Sequence, residues 1–226
     1  MDPIAHLAFA TLVFLATHYV SSTPLRESLV EAIGENIYLG AYSLVSFATI
    51  GWMIWAFYRA PVEPLWQIPG LKLWPLWIMP VSLILIACGV LSRNPTAVKQ
   101  DVALKRADET RGILRVTRHP VMWGIALWAA AHMLARGDMA ALIFFGGFLL
   151  MALTGPALID ARKADALGED WKRFAALTSS VPFWAIVEGR NRFRPGEIGV
   201  GKILVALVLY AALLGLHPYL FGAKPY

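Results

Sequence analysis

Charged and apolar residues are segregated in long blocks along this chain. Six stretches contain no Asp, Glu, Lys or Arg: 3–25, 36–58, 73–92, 119–135, 139–159 and 203–223, each 17 to 23 residues long. About 20 apolar residues cross a bilayer core. A backbone inside lipid must also satisfy its own hydrogen bonds, which a helix does. The blocks therefore predict an all-α integral membrane protein with six transmembrane helices in a single domain, residues 1–226. The fourth block begins at His119-Pro120 and ends at Arg136-Gly137-Asp138. That tripeptide predicts a tight turn and a helical hairpin with the fifth block. Only Met1 and Asp2 precede the first block. Without a basic leader it reads as a retained helix, not a signal peptide.

The segments between blocks have patterns of their own. Thr23-Pro24 predicts a helix start. Leu25, Leu29, Val30 and Ile33 follow on one face, as in a short amphipathic helix lying on the membrane interface. Residues 96–114 are charge-rich and predict a helix. Residues 160–177 predict an extension of the fifth span, followed by an irregular stretch with Pro182, Gly189, Pro195 and Gly196. Trp66, Trp74 and Trp77 fit an aromatic belt at the outer surface. Pro75, Pro80 and Pro156 are candidate helix kinks.

Composition agrees: 58% of residues are apolar and 15% charged, which excludes a soluble domain and a disordered chain. The single cysteine, Cys88, excludes an internal disulfide and a multi-thiolate metal site. A net charge of +5 would suggest nucleic acid in a soluble protein. Here six spans place 16 of the 20 Lys and Arg on one side. Basic loops face the cytoplasm, so both termini are expected outside. The basic excess is then explained by topology and by anionic lipid headgroups. The expected partner is the lipid bilayer, with no nucleic acid.

His6, His18, His119, His132 and His217 all lie within or at the edge of a block. Ionisable residues inside a membrane are functional candidates, and imidazole is the commonest metal ligand. His6 and His217 fall near the outer surface and read as interfacial polar residues. His18, His119 and His132 are the candidates for a site. At 1.5 Å per residue, His18 and His119 match in depth, while His18 and His132 differ by roughly 16 Å. Arg118-His119-Pro120 also places free N–H groups and two cationic side chains at a helix start, a candidate site for an anion or a cofactor phosphate.

Four segments carry a resemblance. They are His18 through Ser21-Ser22-Thr23-Pro24-Leu25-Arg26; Gly34-Glu35 with Tyr38 and Tyr42-Ser43-Leu44; Thr117-Arg118-His119-Pro120-Val121-Met122-Trp123-Gly124; and Leu127-Trp128 to Ala131-His132 with Gly137-Asp138. In this order they resemble the NnrU family of bacterial membrane proteins over nearly the whole chain. The resemblance implies a bacterial inner-membrane location with periplasmic termini and a link to nitric oxide and denitrification metabolism. That family is similar to the 15-cis-zeta-carotene isomerases, membrane proteins that hold haem b through histidines. The resemblance therefore implies haem b as cofactor, with His18 and His132 as metal ligands and His119 as alternate ligand or pocket residue. It also implies a redox or isomerase-like role on a hydrophobic small molecule. Ala129 stands where the plant enzymes carry Cys.

A looser resemblance joins Arg118-His119-Pro120, Gly124, Gly168-Glu169-Asp170-Trp171, Phe174 and Val181-Pro182-Phe183. This pattern is similar to membrane methyltransferases of the isoprenylcysteine and phospholipid type. It implies S-adenosylmethionine as the alternative cofactor, with Arg118, His119 and Glu169 near it. Those families usually have Tyr where Trp171 and Phe174 stand. A non-enzymatic accessory factor for nitric oxide reduction is the third reading, and the residues leave open whether the chain is an enzyme.

Overall fold

The computed structural model describes residues 1–97, 99–100, 104 and 110–225. Among these the chain is helical and forms no strand. The α-helices are α1 (Pro3–Val20), α2 (Pro24–Ile33), α3 (Glu35–Arg59), α4 (Trp74–Leu91), α5 (Pro120–Arg136), α6 (Met139–Leu177), α7 (Trp184–Val187) and α8 (Val200–Phe221). Five helices are long and apolar enough to cross a membrane: α1, α3, α4 with the 3₁₀ turn ahead of it, α6 and α8. The block at 119–135 forms the 17-residue α5.

Local chemistry sets the ends. Asp2 caps α1, accepting a hydrogen bond from the Ala5 N–H at 2.9 Å, and Pro3 occupies its first turn. Thr23 and Pro24 open α2 as expected, but the Thr23 hydroxyl donates back to the Val20 carbonyl at 2.9 Å. No residue of α2 is fully buried, although it touches α1 and α3. Gly34 joins α2 to α3 at φ 83°, a conformation open to glycine at little cost. Asp138 caps α6 by accepting from the Ala141 N–H at 2.7 Å.

The hairpin turn between α5 and α6 is where it was expected. Gly137 adopts φ 62°, and the loop after α3 lies across it. Leu65 N–H donates to the Gly137 carbonyl at 2.7 Å. Trp66 Nε1 donates to the Leu134 carbonyl at 3.0 Å. Trp66 therefore clamps the hairpin, whereas Trp74 and Trp77 are exposed as belt residues would be.

α5 packs against both α4 and α6. Small residues let α4 approach: a Cβ on Gly124 would lie 2.8 Å from the Ser82 carbonyl, and Ser82 donates its hydroxyl to the Gly124 carbonyl at 2.7 Å. α1 packs on α3 and α6. It runs parallel to α6, with Thr11 against Gly147, Phe14 against Phe148 and Tyr19 bonded to Thr154. Their shared core includes Leu7, Phe14, Met53, Phe144, Phe145 and Phe148. α8 packs on α4 through Ala206 and leaves most of its surface free.

Two expectations change. Of the stretch foreseen as a helix over 96–114, residues 96 and 110 are turns, Leu104 is in 3₁₀ conformation, and Gly112–Arg115 is a 3₁₀ turn opened by Gly112 at φ 65°. Residues 98, 101–103 and 105–109 of that stretch lie outside the described residues. The extension of α6 to Leu177 forms, but its non-helical residue is Gly168 (φ 52°, ψ −120°). Pro156 stays within helical backbone. Glycine alone adopts such dihedrals readily.

Candidate functional site

Residues 116–119 lead into α5 and are held from two sides. Phe183 N–H donates to the Val116 carbonyl at 2.8 Å, and Arg118 N–H donates to Ser179 at 3.0 Å. Thr117 donates its hydroxyl to the Ser180 carbonyl at 2.7 Å. Asn94 and Thr96 reach the Arg118 carbonyl from the end of α4. The loop is thereby fixed before its side chains do any chemistry.

Its side chains converge on Asp160. His119 is 2% exposed, and its Nε2 lies 2.7 Å from Asp160 Oδ1. Arg118 donates through Nε to Asp160 Oδ2 at 2.9 Å and again through Nη2. A carboxylate only accepts, so a neutral His119 carries its proton on Nε2 and keeps a lone pair on Nδ1. That Nδ1 is buried and has no hydrogen-bond partner among the described residues. An aspartate that orients an imidazole and leaves its other nitrogen open is a general-base or ligand arrangement. Sequence reasoning missed Asp160. The available signal was its position as the first charged residue after the 21-residue charge-free block in α6.

His18 is half-buried near the end of α1. Its Nδ1 lies 2.7 Å from the Phe14 carbonyl, and its ring packs on Phe14 and Tyr42. His132 Nδ1 lies 2.8 Å from the Trp128 carbonyl, and its ring stacks on Phe145. A carbonyl only accepts, so both rings carry the proton on Nδ1 and present a free Nε2. That is the tautomer a metal ligand uses. His6 instead accepts at Nε2 from Trp52 Nε1 at 2.8 Å, and the exposed His217 bonds the Ala223 carbonyl.

α6 serves as a ruler for depth. His132 is level with Phe145, His18 is one residue before the Tyr19 that bonds Thr154, and His119 is level with Asp160. At 1.5 Å per residue, His18 lies roughly 12 Å from His132 and roughly 10 Å from His119 along the axis. The expected match of His18 with His119 therefore does not form, because α1 ends at Val20 while α6 continues past Asp160. Phe14, Phe148 and Trp128 lie in contact one after another between His18 and His132. The donor chemistry of each histidine suits iron.

Glu169 lies apart. Its side chain is 80% exposed and pairs with Lys172 at 2.6 Å. Trp171 and Phe174 are buried against Leu85, Cys88 and Ile113. Beside Arg118 an open recess of about 520 Å³ is lined by Thr178, Ser179, Trp184 and Arg190 among others, and Glu169 is not part of it. Among the described residues no three His, Cys, Asp or Glu form a metal cluster.

A second ion pair joins the segment before α5 to the one before α8. Arg115 Nε donates to Glu197 Oε2 at 2.7 Å, Gly112 N–H adds a bond at 3.2 Å, and Arg115 Nη1 donates to Asn191 at 2.6 Å. The Arg115 bonds, opposed by burial, lower the Glu197 carboxyl from 4.5 to about 2. A carboxyl depressed by folding contributes stability above its unfolded value and loses it as pH falls. The melting temperature is therefore expected to drop between pH 4.5 and about 2. Glu197→Gln should lower the melting temperature at neutral pH and shrink that acid step. An acid step of unchanged size in the variant would show that the pair contributes nothing.

Residues 6–225 match the family model described as NnrU protein. The chain is 29% identical over 189 residues to a chloroplastic 15-cis-zeta-carotene isomerase of Zea mays, covering 80% of this chain and 50% of that protein. It is 42% identical over 116 residues to the chloroplastic 15-cis-zeta-carotene isomerase of Arabidopsis thaliana, covering 50% of this chain and 32% of that protein. The chain thus spans half or less of the length of these relatives. No solved structure matches. With residues 6–225 inside one family match, this chain belongs to the NnrU protein family.

Proposed function

We propose that this protein is an inner-membrane, isomerase-like enzyme acting on a hydrophobic small molecule, in the nitric oxide or denitrification setting of bacterial NnrU proteins. The observation that carries this reading is the 189-residue similarity to a 15-cis-zeta-carotene isomerase. α5 would be the sixth span: its 17 residues reach about 26 Å against a core of about 30 Å. Six spans put both termini in the periplasm and 16 of 20 basic residues in the cytoplasm. The apolar, aromatic-lined core suits a substrate that partitions from lipid.

Haem b is the cofactor of this reading, and it would supply Lewis-acid and redox chemistry when bound. His18 and His132 would hold it, each through its free Nε2. His119, oriented by Asp160, would serve as a proton-handling group or alternate ligand at the cytoplasmic end. Protein purified from haem-supplied cells is expected to show a Soret band. His18→Ala and His132→Ala should each shift or abolish it. Absence of the band in the unmodified protein would overturn the haem assignment. Failure to consume a 15-cis carotene in cells that make one would count against the isomerase role.

A further inference from the structure

The segment after α6 returns to the level of the first turn of α5. Trp123, the fourth residue of α5, donates from Nε1 to the Ser180 carbonyl at 2.8 Å. Arg118 and Phe183 N–H bonds hold the same segment beside the helix start. Ala185 is fully buried and its N–H donates to Ser179 Oγ at 3.0 Å, and the buried Asn191 donates to the Leu177 carbonyl at 2.7 Å, so the segment is anchored inward at both places. Val181, Phe183, Trp184 and Val187 face out, the last 74% exposed. Arg190, Arg192 and Arg194 follow, all exposed; Arg190 pairs with Glu188 and Arg194 with Glu197 at 3.2 Å. The recess of about 520 Å³ opens beside Trp184, between Arg118 and Arg190.

We propose that residues 181–194 are an interfacial anchor that inserts its apolar side chains at the cytoplasmic membrane surface and binds anionic lipid headgroups through its arginines. The inference rests on the membrane topology proposed above. Exposed apolar groups next to a basic run, level with the start of a membrane helix, meet lipid chains on one side and phosphates on the other. A soluble protein partner would have to displace lipid to reach these side chains. Trp184 has the amphipathic ring favoured at headgroup depth. The recess offers an arginine-flanked pocket of headgroup size.

The test uses the full-length protein in nanodiscs of phosphatidylcholine, with or without phosphatidylglycerol. An environment-sensitive fluorophore is attached at Val187→Cys, and in a second variant at Val208→Cys in the middle of α8. Native Cys88 is fully buried, so labelling falls on the added thiol. In discs containing phosphatidylglycerol, the Val187 probe should emit as in an apolar medium and resist a water-soluble reductant. Each basic side chain near an anionic surface contributes about 1 kcal/mol, or about fivefold. Arg192→Gln with Arg194→Gln should thus lower the inserted-to-exposed ratio about twenty-five-fold. A water-like Val187 probe beside a lipid-like Val208 probe would overturn the anchor alone. Water-like signals from both would overturn the membrane topology itself. Equal insertion of Val187 in both lipids would overturn the anionic preference.

Discussion

Asp160→Ala is expected to destabilise the protein by about 3–5 kcal/mol, the cost of leaving buried cationic or polar partners uncompensated. Arg118 and Asp160 side chains are 14% and 18% exposed, so solvent screens them little. Removing the carboxylate strips Arg118 of its counter-charge and leaves His119 without a partner on either nitrogen. The loss should appear as a lower unfolding midpoint in detergent. Asp160→Asn keeps an acceptor without the charge and should fall in between. Joint replacement of Arg118 by Met and Asp160 by Leu should recover part of the loss, since an apolar pair carries no desolvation cost. If Asp160→Ala unfolds with the unmodified midpoint, the ion pair does not hold α5 to α6. A functional role for His119 would appear separately. Asp160→Asn would then change the pH profile of activity, which loss of stability alone does not do.

Gly137→Ala is the second large effect. Its φ of 62° costs an L-residue about 1–2 kcal/mol. A Cβ there would also lie 2.4 Å from the Trp66 carbonyl oxygen, a backbone atom that cannot swing aside. Displacing that loop is overpacking, at about 1–3 kcal/mol. Together these give about 2–5 kcal/mol. Gly222 separates the two causes: its φ is 68° but a Cβ there would meet nothing within 4 Å. Gly222→Ala should therefore show only the smaller, conformational cost. Equal losses at the two glycines would show that the Trp66 loop yields freely. Protease cleavage in residues 60–70 should increase only in the Gly137 variant.

Both sites show how differently parts of this protein are written in its chain. The turn at Gly137 was legible because the glycine is flanked by Arg136 and Asp138 between two charge-free blocks. Its clamp by Trp66 was not, since Trp66 is 71 residues away from the turn in sequence and reads locally as a belt residue. His119 stood out as an imidazole at a helix start, whereas Asp160 looked like the ordinary first charge of a cytoplasmic extension. The bond between them spans 41 residues and depends on which face α6 turns towards α5. The histidine depths fell between these cases. The count along each helix was sound, but the helices do not begin at a common plane, and His18 came out between His119 and His132.

The sequence by itself determined that this chain is helical and that its apolar blocks are long enough for a membrane. These follow from the cost of placing charge or unpaired backbone in lipid, which each segment meets without reference to its neighbours. Only the tertiary structure decided which polar groups meet. The Asp160 cluster depends on the rotation of α6 about its axis, on the depth at which α1 stops, and on small residues such as Gly124 that let helices approach. Those choices are fixed by packing between segments, where the pairing energy belongs to two helices at once and is recorded in neither alone.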